Sequence, residues 1–203
     1  MRQTAAMPAI VAPALSDGEI AVRPLAPRDV PAIVAACQDA EIPRWTRVPS
    51  PYTREDAERY LAIAATEAAA GAGVALAVCD SRDRFIGTIG LMELDRERGC
   101  GELGYWIAAA ARGRGAARRA VALLRDWAHA ELGVATLEIL ANRDNRPSQL
   151  VAERAGFADT GEIRSVARMP ERIRHGYKVY AWRAGEVAAD DPRPSADEAS
   201  RAR

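Results

Sequence analysis

The sequence predicts an α+β fold: a mixed, mostly antiparallel sheet of six to seven strands, flanked by about four helices. Two observations carry that expectation. In the first half, strand-like runs follow one another through short turns, which pairs them antiparallel; in the second half strand, helix, strand, helix and strand alternate. The long helix of the second half has an apolar stripe at Ala117, Val121, Leu124, Ala128 and Leu132, and a right-handed crossover lays that stripe on one face of the sheet. At 203 residues the chain suffices for one domain with a full core and is short for two. Its expected organisation is a flexible leader over 1–17, a single domain over 18–184 and a disordered tail over 185–203.

Taken in order, the Ala/Pro-rich leader gives way to Ile20–Leu25, which alternates apolar and polar residues and reads as a strand with Pro24 at its end. Val30, Ile33, Val34 and Cys37 stand at helical spacing, with Pro31 tolerated in a first turn. Residues 42–52 hold Pro43, Pro49 and Pro51 with Trp45 and Tyr52, and are expected to form an irregular loop. Thr53, with Asp56 three residues on, starts a helix whose stripe is Ala57, Tyr60, Leu61, Ala64 and Ala68; Gly71 and Gly73 end it. Val74–Cys79 and Phe85–Leu94 form a hairpin, and Cys100–Ile107 is the next strand. After the long helix come a strand from Thr136 to Leu140, a short helix, and two runs, Thr160–Arg168 and Ile173–Arg183, that form a closing hairpin around Met169–Arg172.

Composition narrows the function. Lys+Arg and Asp+Glu are both 28, a formal net charge of +0, which argues against bulk electrostatic binding to nucleic acid or to a membrane surface. No run approaches the 18 apolar residues of a membrane span. The cysteines, Cys37, Cys79 and Cys100, are widely spaced, and the only histidines are His129 and His175, so neither a disulfide framework nor a zinc site is expected. These features suit a reduced cytoplasm.

The stretch Ala111-Arg112-Gly113-Arg114-Gly115-Ala116-Ala117-Arg118-Arg119, between a strand and a helix, has two readings. It is either a tight turn with solvated arginines or a phosphate site, in which glycines let an anion approach the free N–H groups of the helix start. The continuation favours the second. Arg112–Ala117 fits the Arg/Gln-x-x-Gly-x-Gly/Ala signature of the GNAT superfamily of N-acetyltransferases, and the chain from about Ile20 to Ala184 resembles that superfamily. Gly101-Glu102-Leu103-Gly104-Tyr105-Trp106, together with Asn145, Ser148, Val151-Ala152-Glu153 and Gly156-Phe157, resembles its branch of ribosomal-protein alanine acetyltransferases.

The resemblance implies a GNAT fold in which two parallel central strands, here Tyr105–Ile107 and Leu137–Ala141, splay apart, so that the pantetheine arm of acetyl-CoA pairs with backbone like an added strand. It implies an acetyl-CoA site at Tyr105, Trp106 and Ile107, at the backbone of Gly113, Gly115, Ala116 and Ala117, at Arg112, Arg114 and Arg118, and at Asn142 and Asn145; Asn145 also reads as a helix N-cap. It places residues 42–52 beside the acceptor, where Arg44, Arg47, Trp45 and Tyr52 line a mouth suited to an acidic or carboxylate-bearing partner.

Thioester aminolysis needs a neutral amine, an acceptor for its surplus proton and a donor to the leaving thiolate. No nucleophile with a neighbouring base stands out, which favours direct transfer. Many members supply the acid from a tyrosine seven residues after the position of Asn145; this chain has Ala152 there, which turns attention to Ser148, otherwise a structural first-turn serine. Glu102 is the candidate base, or a strand residue facing solvent. Members of the branch tend to carry Glu before the glycine that follows Gly-Phe, where this chain has Thr160. The reading is an acetyl-CoA-dependent N-acetyltransferase acting on a protein N-terminus or a small amine, with a homodimer as one assembly open to it. The alternatives are a non-catalytic acyl-CoA-binding sensor, or an enzyme using another acyl group such as succinyl. A Rossmann-like nucleotide module fits poorly, because its glycine motif follows the first strand.

Overall fold

Strands buried on both faces read as nearly continuous apolar runs, and two such runs set the centre of this sheet. In the computed structural model, which describes residues 7–167 and 174–186, they are β3 (Val74–Asp80) and β4 (Phe85–Asp95). Around them stand β1 (Leu15–Ser16), β2 (Ile20–Pro24), β5 (Cys100–Ile107), β6 (Thr136–Asn142), β7 (Ala158–Ala167) and β8 (Arg174–Arg183). The order is β1-β2-β3-β4-β5-β6-β8-β7, an eight-stranded sheet in which every pair is antiparallel except β5–β6. The helices are α1 (Val30–Ala36), α2 (Glu41–Trp45), α3 (Arg54–Ala69), α4 (Ala116–Leu132) and α5 (Arg146–Arg154).

The faces carry separate cores. Ala120, Val121, Leu124 and Ala128 of α4 pack with Leu76, Ile89, Leu103, Leu137 and Ile139 of the sheet. On the other side Val30, Ile33, Cys37, Ile42, Tyr52 and Ala57 form a smaller cluster against Phe85 and Trp106. The α3 start is the expected capping box: Thr53 Oγ1 accepts from the Asp56 N–H, and the Thr53 N–H donates to the Asp56 carboxylate. A buried pair ties this side together, with Arg23 donating to both Asp29 carboxylate oxygens at 2.8 Å. Burial alone would raise the Asp29 carboxyl; the hydrogen bonds from Arg23 and the Ala26 N–H outweigh it and hold the group below its ordinary value.

Three expectations change. Residues 42–52 are not irregular throughout, because α2 occupies 41–45; Pro43 is its third residue, where an N–H has no intrahelical partner to lose. The expected leader is packed from its described start: Ile10 is buried, its N–H donates to the Ala68 carbonyl at the end of α3, and Leu15–Ser16 pairs with β2. A buried apolar residue and a helix-terminal carbonyl, which also accepts from the Gly71 N–H, supply that anchor. Finally, β1 and α2 take the counts to eight strands and five helices among the described residues. The turn Met169–Arg172 and most of the expected tail, 187–203, lie outside the described residues.

Candidate active site

The β5–β6 pair is the only parallel one among the described strands, and it is short. Register holds at Cys100↔Thr136, Gly101↔Leu137 and Glu102↔Glu138 and then stops, although β5 runs on to Ile107 and β6 to Asn142. The strands part there, and the β5 edge from Leu103 onward faces a gap instead of a neighbour. Because side chains alternate along β5, its two faces feed two clefts.

The first cleft, of about 480 Å³, lies between the β5 end, the start of α4 and the first turns of α5. The α4 start has no side-chain cap; its N-cap, Gly115, is left-handed at φ 78°, and a Cβ built on Gly113 or Gly115 meets nothing within 4 Å. Free helix N–H groups therefore face open space under a positive dipole end, with Arg118 and Arg154 on the walls. The second cleft, of about 430 Å³, lies on the opposite face beneath α3. Its floor is Thr88, Gly90 and Gly104, where the two glycines are direct cross-strand partners, and Tyr60 lines the same cleft. The clefts share Trp45, Thr46, Tyr105 and Trp106, so they meet at the end of β5.

Most of the residues singled out in the sequence fall on these walls. Tyr105, Trp106, Ile107, Arg112, Gly113, Gly115, Ala116, Ala117, Arg118, Asn145 and Ser148 line the first cleft; Glu102 and Tyr52 line the second, and Trp45 both. Arg114, Asn142 and Arg44 line neither. The Asn142 side chain accepts from the Asp144 N–H, and Arg44 stacks 4.5 Å from the Trp45 ring while pairing with Glu41. Arg112 reaches the cleft, but its guanidinium is engaged elsewhere: Nε donates to the Ile107 carbonyl at 2.9 Å and Nη2 pairs with Asp39 at 2.7 Å. That ties the glycine turn to the segment ahead of α2.

Asn145 is the α5 N-cap, its Oδ1 accepting from the Ser148 N–H. Ser148 Oγ lies 3.1 Å from the Tyr105 hydroxyl, which also donates to the Ser148 carbonyl at 3.2 Å. Burial pushes the Tyr105 phenol up to about 12, with the Ser148 hydrogen bond acting the other way. Burial also raises the Glu102 carboxyl; Arg47 opposes the rise and Glu93 adds to it. Sequence reading missed Tyr60, Thr88 and the facing glycines. Gly90 and Gly104 did carry a signal, since isolated strand glycines often mark a close approach.

Among the described residues the mixed sheet splits at its one parallel pair, with an uncapped glycine turn and clefts on both faces of the split. The chain belongs to the acetyltransferase (GNAT) domain family, whose model matches residues 19–158 and whose members use acetyl-CoA. A curated relative, YdaF of Bacillus subtilis (strain 168), provisionally named a ribosomal N-acetyltransferase, is 37% identical over 78 residues; the match spans 38% of this chain and 43% of that protein. Among solved structures, RimJ of Mycobacterium smegmatis in complex with CoA-disulfide has a TM-score of 0.75 at 17% identity, covering 87% of this chain and 89% of that one. MccE, a microcin self-immunity acetyltransferase solved with acetyl-CoA and AMP, has a TM-score of 0.73 at 17% identity, covering 83% and 93%. At such identities the likeness is one of fold. Among the described residues no helix is long and apolar enough to cross a membrane, and no cluster of His, Cys, Asp or Glu could hold a metal ion.

Proposed function

We propose that residues 18–184 form one acyltransferase domain that passes an acetyl group from acetyl-CoA directly to a primary amine, and that the amine is a protein N-terminus. The observation that carries this reading is the junction at Tyr105 and Trp106, where two clefts of different chemistry open onto each other. The first has the features a pyrophosphate needs: backbone N–H groups of Gly113, Gly115, Ala116 and Ala117, with Arg118 beside them. The parted edge of β5 offers unpaired backbone to an amide-rich arm.

The second cleft receives the amine. Gly90 and Gly104 add no side chains of their own to its floor, and the flexible Met92 side chain that lies over Gly104 can shift to let a chain terminus lie against the sheet beside Trp106. Glu102 accepts the surplus proton of the attacking amine, a task its raised pKa suits at neutral pH. Ser148, across the strand, donates to the departing sulfur. Having a base in one cleft and a hydroxyl donor in the other supports catalysis over a sensor role, which needs neither.

The protein-terminus acceptor is supported by the provisional name of YdaF. Calorimetric titration with acetyl-CoA, succinyl-CoA and ATP tests the cofactor half: selective micromolar binding of acetyl-CoA is expected, and no binding of either acyl-CoA would overturn it. Thiol release on a panel of peptides and small amines tests the acceptor half. Turnover confined to small amines would overturn the protein-terminus acceptor.

A further inference from the structure

We infer that Tyr105 is a positioning residue for the acid side of the reaction, holding and recharging Ser148 through a two-hydroxyl relay; this rests on the acetyltransferase reading above. Tyr105 follows Leu103 and precedes Ile107 on the β5 face turned toward α4 and α5, and its ring packs against that core. Its hydroxyl ends beside the third residue of α5, with Ser148 Oγ at 3.1 Å and the Ser148 carbonyl at 3.2 Å. The Ser148 N–H is held by Asn145. Ser148 is thus fixed at three atoms before any substrate arrives.

The phenol has one proton and two acceptors in reach, which gives two arrangements. With that proton on the carbonyl, the serine proton points back at the tyrosine. With it on Oγ, the serine proton is free for the cleft, and only this arrangement serves a leaving group. In the transfer the C–N bond forms and the C–S bond breaks. Sulfur takes the Oγ proton and Oγ takes the Tyr105 proton. The phenolate is then reprotonated by water, which receives the amine's surplus proton by way of Glu102. Serine alone would be left as an alkoxide, a far stronger base than a phenolate.

The test needs no acceptor. Free CoA and acetyl-CoA are titrated by calorimetry at pH 7 and pH 9 into the wild-type chain, Tyr105→Phe and Ser148→Ala, with thermal melting as the folding check. A donor aimed at sulfur favours thiolate over thiol. An ordinary thiol titrates near 8.5, so lowering it by about one unit makes wild-type affinity for CoA rise roughly fivefold between the two pH values. Both variants should show a rise below about twofold. Acetyl-CoA, which has no ionisable thiol, should bind all three proteins alike at both pH values. On any accepted amine, Tyr105→Phe should lower kcat about tenfold or more with KM for acetyl-CoA within about twofold. A wild-type-like rise in Tyr105→Phe, or no rise in the wild type while acetyl-CoA binds, overturns the relay and leaves the acetyltransferase reading standing. Loss of acetyl-CoA binding in folded Tyr105→Phe also overturns it, by making the residue part of the binding wall. Failure of the wild type to bind acetyl-CoA overturns both.

Discussion

The two clefts on either side of β5 are built in opposite ways. The one at the α4 start has a backbone end: its glycine turn, Gly113 to Ala117, is a single contiguous segment, and Gly115 leaves the helix N–H groups there without a side-chain cap. The one beneath α3 has no such segment: the side chains of Tyr52, Tyr60, Thr88, Met92 and Glu102 reach it from separated places along the chain. A backbone site tolerates drift in side-chain identity and binds one invariant group. A side-chain site changes its ligand with a single substitution. A cosubstrate common to a family and an acceptor peculiar to each member divide naturally between such clefts.

The largest expected effect breaks one cleft and spares the other. Gly115→Glu puts a carboxylate at the proposed pyrophosphate position and should weaken acetyl-CoA binding about 100-fold or more, measured by calorimetry. Gly133→Ala is the matched control at the other end of α4. Gly133 is also left-handed, at φ 68°, so the variant should lose about 1 kcal/mol of stability and keep its acetyl-CoA affinity. Equal loss in the two variants would mean that helix strain, and no anion site, explains the first.

Glu102→Gln comes next, and it acts on the second cleft alone. Turnover should fall about 100-fold with acetyl-CoA affinity intact. In the wild type a base with a raised pKa loses activity as pH falls through that pKa, so the pH–rate profile has an acid limb that the variant lacks. Stability moves the other way. Burial disfavours the ionised carboxylate, so the folded state carries a cost that is full above the raised pKa and absent below the unfolded value. Glu102→Gln should therefore melt higher than the wild type at neutral pH, with the gap closing on acidification. A wild-type acid limb in the variant would remove Glu102 as the base.

Arg112→Ala tests whether the clefts are separate at all. Its guanidinium joins the Ile107 carbonyl to Asp39, so its loss should raise both the acetyl-CoA Kd and the acceptor KM, each by about tenfold. An effect confined to acetyl-CoA would make Arg112 a phosphate contact first and a tie second. The smallest effect is expected from Gly104→Ala. Its Cβ would stand 2.6 Å from Met92 Cε, the movable end of a flexible side chain, so the fold should survive while acceptor KM rises by roughly threefold.

The elements legible in the sequence are those whose signals are local. The Thr53–Asp56 cap, the hairpin of β3 and β4 and the extent of β5 follow from neighbours within a few residues and lie where their patterns put them; of the α4 stripe Val121, Leu124 and Ala128 are buried, whereas Ala117 and Leu132 are half-buried and Ala116 and Ala120 complete the buried face. The α2 turn was hidden because three prolines in eleven residues read as a loop, although Pro43 in a first helical turn breaks no hydrogen bond. The packed stretch around Ile10 was hidden because its partner, Ala68, is 58 residues away. For the site, the glycine turn and Asn145-x-x-Ser148 were readable as motifs, whereas Arg114 and Asn142 belonged to the same motifs and line neither cleft.

What the sequence by itself determined is the family, the order of the elements apart from β1 and α2, and the glycine turn between β5 and α4, because each rests on residues adjacent along the chain. What only the tertiary structure decided is where β5 and β6 part, that Arg112 serves Asp39, that Gly90 faces Gly104 and that Tyr105 meets Ser148 across 43 positions of sequence. Those contacts depend on strand register and on the placement of helices over the sheet. Burial and hydrogen bonding set both over the whole fold at once, so no local pattern encodes them.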